Sequence, residues 1–253
     1  MDARILLPRA PLQLLGIDGC RAGWVIARSD PSLSCLDLAI VSTLDTTFDD
    51  ARDGRALIAI DVPIGLPSSG PRACDLAARR RLSGPRKSSV FPAPCRATLG
   101  ATTYAEACRI NAAVCGKRVA IQLFNILPKI RDVDRLLTPA LQRRVREAHP
   151  EVIFSVLAGA AGGSLPPKRE RGGHLERLRL LGRFFPSCDA SAIRDHCARL
   201  AARWGSRAVA ADDLVDALAC LVTAHRASTG QVAVLPGEPV PCDERGLRME
   251  ILA

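Results

Sequence analysis

Two short apolar runs that each end on an aspartate constrain this chain more than any other feature. The run 12–17 leads into Asp18, and Ala-Leu-Ile-Ala-Ile at 56–60 leads into Asp61. The second run is brief and lacks polar alternation, which reads as a strand buried on both faces. A strand of that kind belongs in an α/β sheet with helices packed on both sides. Both acids then fall at strand ends, on the sheet edge where side chains emerge into a crevice and ligands bind.

The remaining pattern fits such a sheet. Gly19 and Gly23 interrupt the first strand, Trp24 opens a second over 24–28, and the turn cluster Ser29-Asp30-Pro31-Ser32 precedes a third over 33–41. Short links make these three an antiparallel meander. A helix is predicted over 43–54, ending at glycine, and others over 74–82, 103–113, 129–137, 175–185, 190–204 and 213–227. The run 152–157 is a candidate strand, and the glycine-, proline- and base-rich stretch 159–173 is a loop. At 253 residues the whole reads as a single domain, 1–253, with residues 1–11 as a leader running into the first strand. That leader lacks the small-residue cleavage site of a signal peptide.

The helix opening Asp212-Asp213-Leu214-Val215-Asp216 supplies more acids. Leu214, Ala217, Leu218, Leu221 and His225 form its packed stripe, and Asp213 and Asp216, three apart, share a flanking face. Alone, each acid has a structural reading. Asp18 and Asp61 suit turns, Asp212 suits an N-cap, and Asp213 and Asp216 suit a first helical turn. Together, Asp18, Asp61, Asp213 and Asp216 make a catalytic cluster, because close carboxylates repel and call for a cation. Hard oxygen ligands select Mg²⁺ or Mn²⁺, and Glu151 of His149-Pro150-Glu151 is a further candidate ligand. Lys87, Ser88 and Ser89 in a proline-fixed segment, Gln122 and Lys129 in an apolar stretch, and Lys168 in the loop are candidate substrate-binding residues.

Composition narrows the partner. The formal net charge is +9, which favours a polyanion such as nucleic acid. Six Phe, two Trp and one Tyr are too few for a base-stacking platform. No apolar stretch approaches the ~18 residues of a membrane span. Ten cysteines without a C-x-x-C pair exclude the common zinc cages and suit a reducing, cytoplasmic setting.

Several motifs in fixed order closely resemble the family called domain of unknown function 429. They are Gly16-Ile-Asp-Gly-Cys-Arg-Ala-Gly-Trp24, Ile60-Asp-Val-Pro-Ile-Gly-Leu66, Ser88-Ser-Val-Phe-Pro-Ala-Pro94, Gln122 through Phe124-Asn125 to Pro128-Lys129-Ile130, His149-Pro-Glu151 and Asp212-Asp-Leu-Val-Asp-Ala-Leu218. The resemblance spans about residues 14–251 and implies an RNase H-like mixed β-sheet with helices on both faces, a bacterial origin, and a nuclease activity that is itself a prediction for the family. More distantly, the acids resemble those of Holliday-junction resolvases, which carry an acid on the first and fourth strands and a D-x-x-D on the last helix. Against that pattern the second acid here is Asp61 rather than the longer Glu, and 84–130 and 159–173 stand out as inserts. The expectation is a Mg²⁺- or Mn²⁺-dependent nuclease. Its rivals are a phosphotransferase of the actin and sugar-kinase type, for which one core is short, and a non-catalytic module that binds nucleic acid or protein.

Overall fold

In the computed structural model, which describes residues 11–159, 165–168 and 170–253, the leading hairpin follows directly from the glycine-punctuated start of the chain. Strand β1 (Gln13–Cys20) turns back into β2 (Gly23–Ser29), which pairs antiparallel with β3 (Asp37–Val41). Strand β4 (Ala56–Ile60) lies parallel to β1, and β5 (Val145–Glu147) lies parallel to β4. The order β3-β2-β1-β4-β5 is a mixed sheet of the RNase H-like α/β class. A second, two-stranded sheet joins β6 (Val234–Leu235) to β7 (Ile251–Leu252).

The pleat sends alternate residues to two cores. Leu14, Val25, Ala27 and Ala59 pack against α5 (Pro150–Ala158), α6 (Arg171–Gly182), α7 (Ala190–Trp204) and α8 (Ala211–Ser228). Leu15, Ile17, Trp24, Ile26, Ile58 and Ile60 pack on the other face against α1 (Asp45–Arg52), α3 (Tyr104–Cys115) and α4 (Ile121–Leu136). Helix α2 (Ala73–Arg81) closes a smaller cluster with β6 and β7. Both faces of the sheet are therefore covered, as the unbroken apolar run of β4 requires.

Some expectations need correction. The run 152–157 is not a strand but most of α5, with Pro150 in its first turn. Val152 packs into the small cluster while Ile153 and Phe154 pack into the main core, so this helix is buried on more than one side and its apolar run carries no helical period. The strand beside β4 is instead β5, only three residues long and interrupted by Arg146. Helix α4 begins at Ile121 rather than at 129, because Pro128 sits within it on an exposed face instead of ending it. The third strand is shorter than expected, since residues 33–36 form no strand. Of the segment 159–173, residues 160–164 and 169 lie outside the described residues, as do 1–10 of the leader. Among the described residues no helix is long and apolar enough to cross a membrane, and all ten cysteines are free thiols.

Candidate active site

Strand register places the first two acids. Ile17 of β1 faces Ile60 of β4 in the parallel pair, so Asp18 and Asp61 follow side by side, and the Asp61 amide donates to the Ile17 carbonyl at 2.9 Å. Asp18 continues the face of Leu14 and Gly16, and Asp61 that of Leu57 and Ala59, so both carboxylates emerge on the α8 side.

Helix α8 reaches them because Gly16 has no side chain. A Cβ there would stand 2.0 Å from the Leu221 nitrogen and 2.1 Å from the Ala217 carbonyl oxygen, both backbone atoms of α8. Any other residue would hold the helix off the strand. With the backbones in contact, Asp213 and Asp216 add their negative charge to that of Asp61 around Asp18. The two helical acids differ in task. Asp213 Oδ2 accepts the Ala210 amide at 2.8 Å and so caps the helix, the part expected of Asp212. Asp216 Oδ2 accepts from Lys168 Nζ at 2.7 Å.

The electrostatics follow from burial. Asp18 is held well above the usual carboxylate range by desolvation first and then by Asp61, Asp216 and Asp213, against a single opposing hydrogen bond from the Gly19 amide at 2.7 Å. Asp61 is raised by burial too, with His149 and Lys168 pulling the other way, and Asp213 is raised by burial against the Ala210 amide. Asp216 is pushed up to about 6 by burial, which outweighs Lys168. Burial works against the charge of Lys168, yet Asp216, Asp212 and Asp18 hold its pKa above the ordinary value. Lys129 stands over the Trp24 ring at 4.4 Å, donates to the Gly23 carbonyl, and is lowered by burial.

All of these perturbed groups but Asp213 line a cavity of about 710 Å³. Asp18, Asp61, Asp216, Glu151, Ser88, Ser89, Gln122, Lys129 and Lys168 all line it, whereas Lys87 is exposed outside it. The hydroxyls of Ser88 and Ser89 donate to the carbonyls of Pro85 and Arg86, closing their own 3₁₀ turn (Gly84–Ser89). Glu151 is bound through both oxygens by Arg177, at 2.7 and 2.9 Å. Among the described residues no three His, Cys, Asp or Glu groups stand in an arrangement that could hold a metal ion. Free oxygens remain nonetheless. Asp18 Oδ2 and both oxygens of Asp61 accept no hydrogen bond among the described residues, whereas Asp216 and Asp213 each have one oxygen engaged.

Sequence reasoning did not single out several residues that shape the cavity. Arg72 grips Glu147 at 2.7 and 2.8 Å, pairs with Asp75 at 2.5 Å, and donates to the Ile64 carbonyl at 2.9 Å, while the Ile64 amide donates to Glu147 at 2.7 Å. This buried network pins the segment after Asp61, where Gly65 takes φ +72. Glu147 is raised to about 7 by burial against Arg72. His149 donates through Nε2 to the Ser89 carbonyl at 3.3 Å, tying α5 to the 3₁₀ turn. Only His149 had a signal, its place in the His-Pro-Glu motif; charges deep in the fold at 72, 75 and 147 look in sequence like ordinary surface residues.

No curated protein and no solved structure matches this chain. A family model described as "Protein of unknown function (DUF429)" matches residues 16–240, a span that runs from the glycine under α8 through every aspartate of the cluster. The chain belongs to that family.

Proposed function

We propose that this protein is a divalent-metal-dependent phosphodiesterase acting on nucleic acid. One observation carries the reading: Asp18, Asp61 and Asp216 stand together in a desolvated corner of a cavity, with Lys168 as their direct counter-ion. Carboxylates that raise one another's pKa in this way favour a bound cation, and their hard oxygens suit Mg²⁺ or Mn²⁺. The free oxygens of Asp18 and Asp61 fit such an ion, with Asp216 able to join them through the oxygen that Lys168 leaves open. Glu151, spent on Arg177, is left out of this set, and Asp213 serves through its charge while it caps α8. A divalent ion held there supplies a water of lowered pKa and charge for a phosphate oxygen. Lys168 Nζ offsets phosphate charge. Lys129 Nζ, beside Asp18 and lowered by burial, holds the proton for the leaving oxygen. The net charge of +9 favours a polyanionic substrate, and the unpaired thiols suit the cytoplasm.

The test is cleavage of a panel of single- and double-stranded DNA and RNA with Mg²⁺ or Mn²⁺. Activity is expected to vanish with EDTA and to fall at least about a hundredfold in Asp18→Asn. If no form is cut, or if Asp18→Asn cuts like the wild type, the reading is wrong.

A further inference from the structure

Arg86 is an arginine on the cavity wall without a carboxylate partner among the described residues. It lies in the 3₁₀ turn Gly84–Ser89 and lines the same cavity as the aspartates. Its Nη2 donates to Ser83 Oγ at 3.2 Å. Its Nε and Nη1 are buried without a hydrogen-bond partner, and no described carboxylate lies within ion-pair distance. The contrast with its neighbours is sharp. Arg72 has Asp75 and Glu147, and Arg177 has Glu151. A guanidinium on a cavity wall without a carboxylate partner is suited to an anion with several acceptor oxygens.

The cavity also limits what can carry that anion. A volume of about 710 Å³ lies in the range of small-molecule sites. It corresponds to a sphere ~11 Å across, room for one or two nucleotide units. Phe91, Leu123 and Ile126 give it apolar walls, and Gln122, whose amide has no partner among the described residues, offers a donor and an acceptor to a base edge.

We propose that Arg86 binds a terminal phosphate, so that the substrate is a short phosphate-bearing strand end or dinucleotide whose next phosphodiester lies at Asp18 and Asp61. This rests on the phosphodiesterase reading for the second half of the statement and on Arg86 alone for the first. Binding is therefore measured apart from chemistry, by calorimetry in EDTA with the dinucleotides pTpT, TpTp and TpT. At least one phosphorylated form is expected to bind about tenfold or more tightly than TpT, and the preference is expected to disappear in both Arg86→Met and Arg86→Ala, each checked for its native circular dichroism. Equal affinity for all three, or a preference that survives both substitutions, overturns the proposal. With Mn²⁺, a linear phosphorylated strand of about 12 nucleotides is expected to be cut at its end, and pTpT to be cut as well. A circular strand of the same sequence cut as fast as the linear one overturns end recognition, and cutting of the linear strand alone restricts the ligand to polymer ends. Failure of the underlying reading has its own signature, which is that the wild type with Mn²⁺ does not hydrolyse bis(4-nitrophenyl) phosphate, a diester with no terminal phosphate for Arg86 to hold.

Discussion

Replacing Asp216 by asparagine measures what the carboxylate cluster costs the fold. The Asp216 carboxyl titrates near 6 in the folded protein, against 3.8 in an unfolded chain. The folded state thus holds the proton more tightly, and stability is greatest below the unfolded value and falls as pH rises through the folded one. The window is pH 4 to 6. A shift of about two units at 1.36 kcal/mol each gives about 3 kcal/mol lost between those limits. Asparagine keeps the shape and cannot ionise, so the variant lacks this loss. Lys168 loses its partner, but that ammonium is half exposed, turns toward water, and does not titrate in this window, so its contribution is constant with pH. Asp18 is also eased, since Asp216 is among the charges that raise it, and this makes 3 kcal/mol a lower figure. The assay is urea denaturation of both proteins in EDTA at intervals from pH 4 to 7.5. The stability difference, variant minus wild type, is expected to grow by about 3 kcal/mol across that range, with added Mg²⁺ narrowing it at neutral pH. A difference that stays flat, or that moves against the variant as pH rises, refutes the account of the site.

Three further outcomes follow from the same geometry. Gly16→Ala forces α8 away from β1, because the contacts at 2.0 and 2.1 Å are backbone atoms that no rotamer change relieves; a loss of about 3 kcal/mol or more is expected in thermal unfolding, with weaker Mn²⁺ binding, and wild-type stability would count against the packing argument. Arg72→Met leaves Glu147 and Asp75 buried without a counter-charge; a loss of about 3–5 kcal/mol is expected, reduced at low pH as Glu147, already near 7, takes up a proton, and a variant as stable as the wild type at pH 8 contradicts it. Lys168→Met removes the ammonium from among the acids, so calorimetry is expected to show Mn²⁺ binding about tenfold tighter, whereas unchanged or weaker binding shows that Lys168 does not compete with a cation there.

What could be read from the chain divides by the range of the signal. Strand β4 was legible to the residue because burial on both faces leaves an apolar run with sharp ends, and α7 because its length and termini match an ordinary surface helix. The pairing of Asp18 with Asp61 was inferred from strand ends and needed only that β1 and β4 be neighbours, which they are. The failures came where local pattern and tertiary setting disagree. Residues 152–157 look like a strand because α5 is buried on more than one side, and β5 escapes notice because three residues held by parallel pairing with β4 need no propensity of their own. Asp213 rather than Asp212 caps α8 because capping depends on where the first turn starts, and Ala210 rather than Asp212 stands before it. Ser88 and Ser89 have the right chemistry for phosphate, yet a hydroxyl three residues from a free carbonyl satisfies that first.

The charged lining of the cavity shows why the site lies where it does. Arg72 is matched by Asp75 and Glu147, Arg177 by Glu151, and Lys168 by Asp216. Each match fixes a piece of the wall: the segment after Asp61, the start of α5, and the second turn of α8. Asp18, Asp61 and Arg86 have no ion-pair partner among the described residues, although all three line a single cavity. Charges left unpaired on a cavity wall cost stability that packing elsewhere must offset. A ligand that brings a cation to the carboxylates and an anion to the guanidinium would relieve both at once. On the proposed reading a phosphate ester with its metal ion would do so, which would tie Arg86 to Asp18 through one substrate.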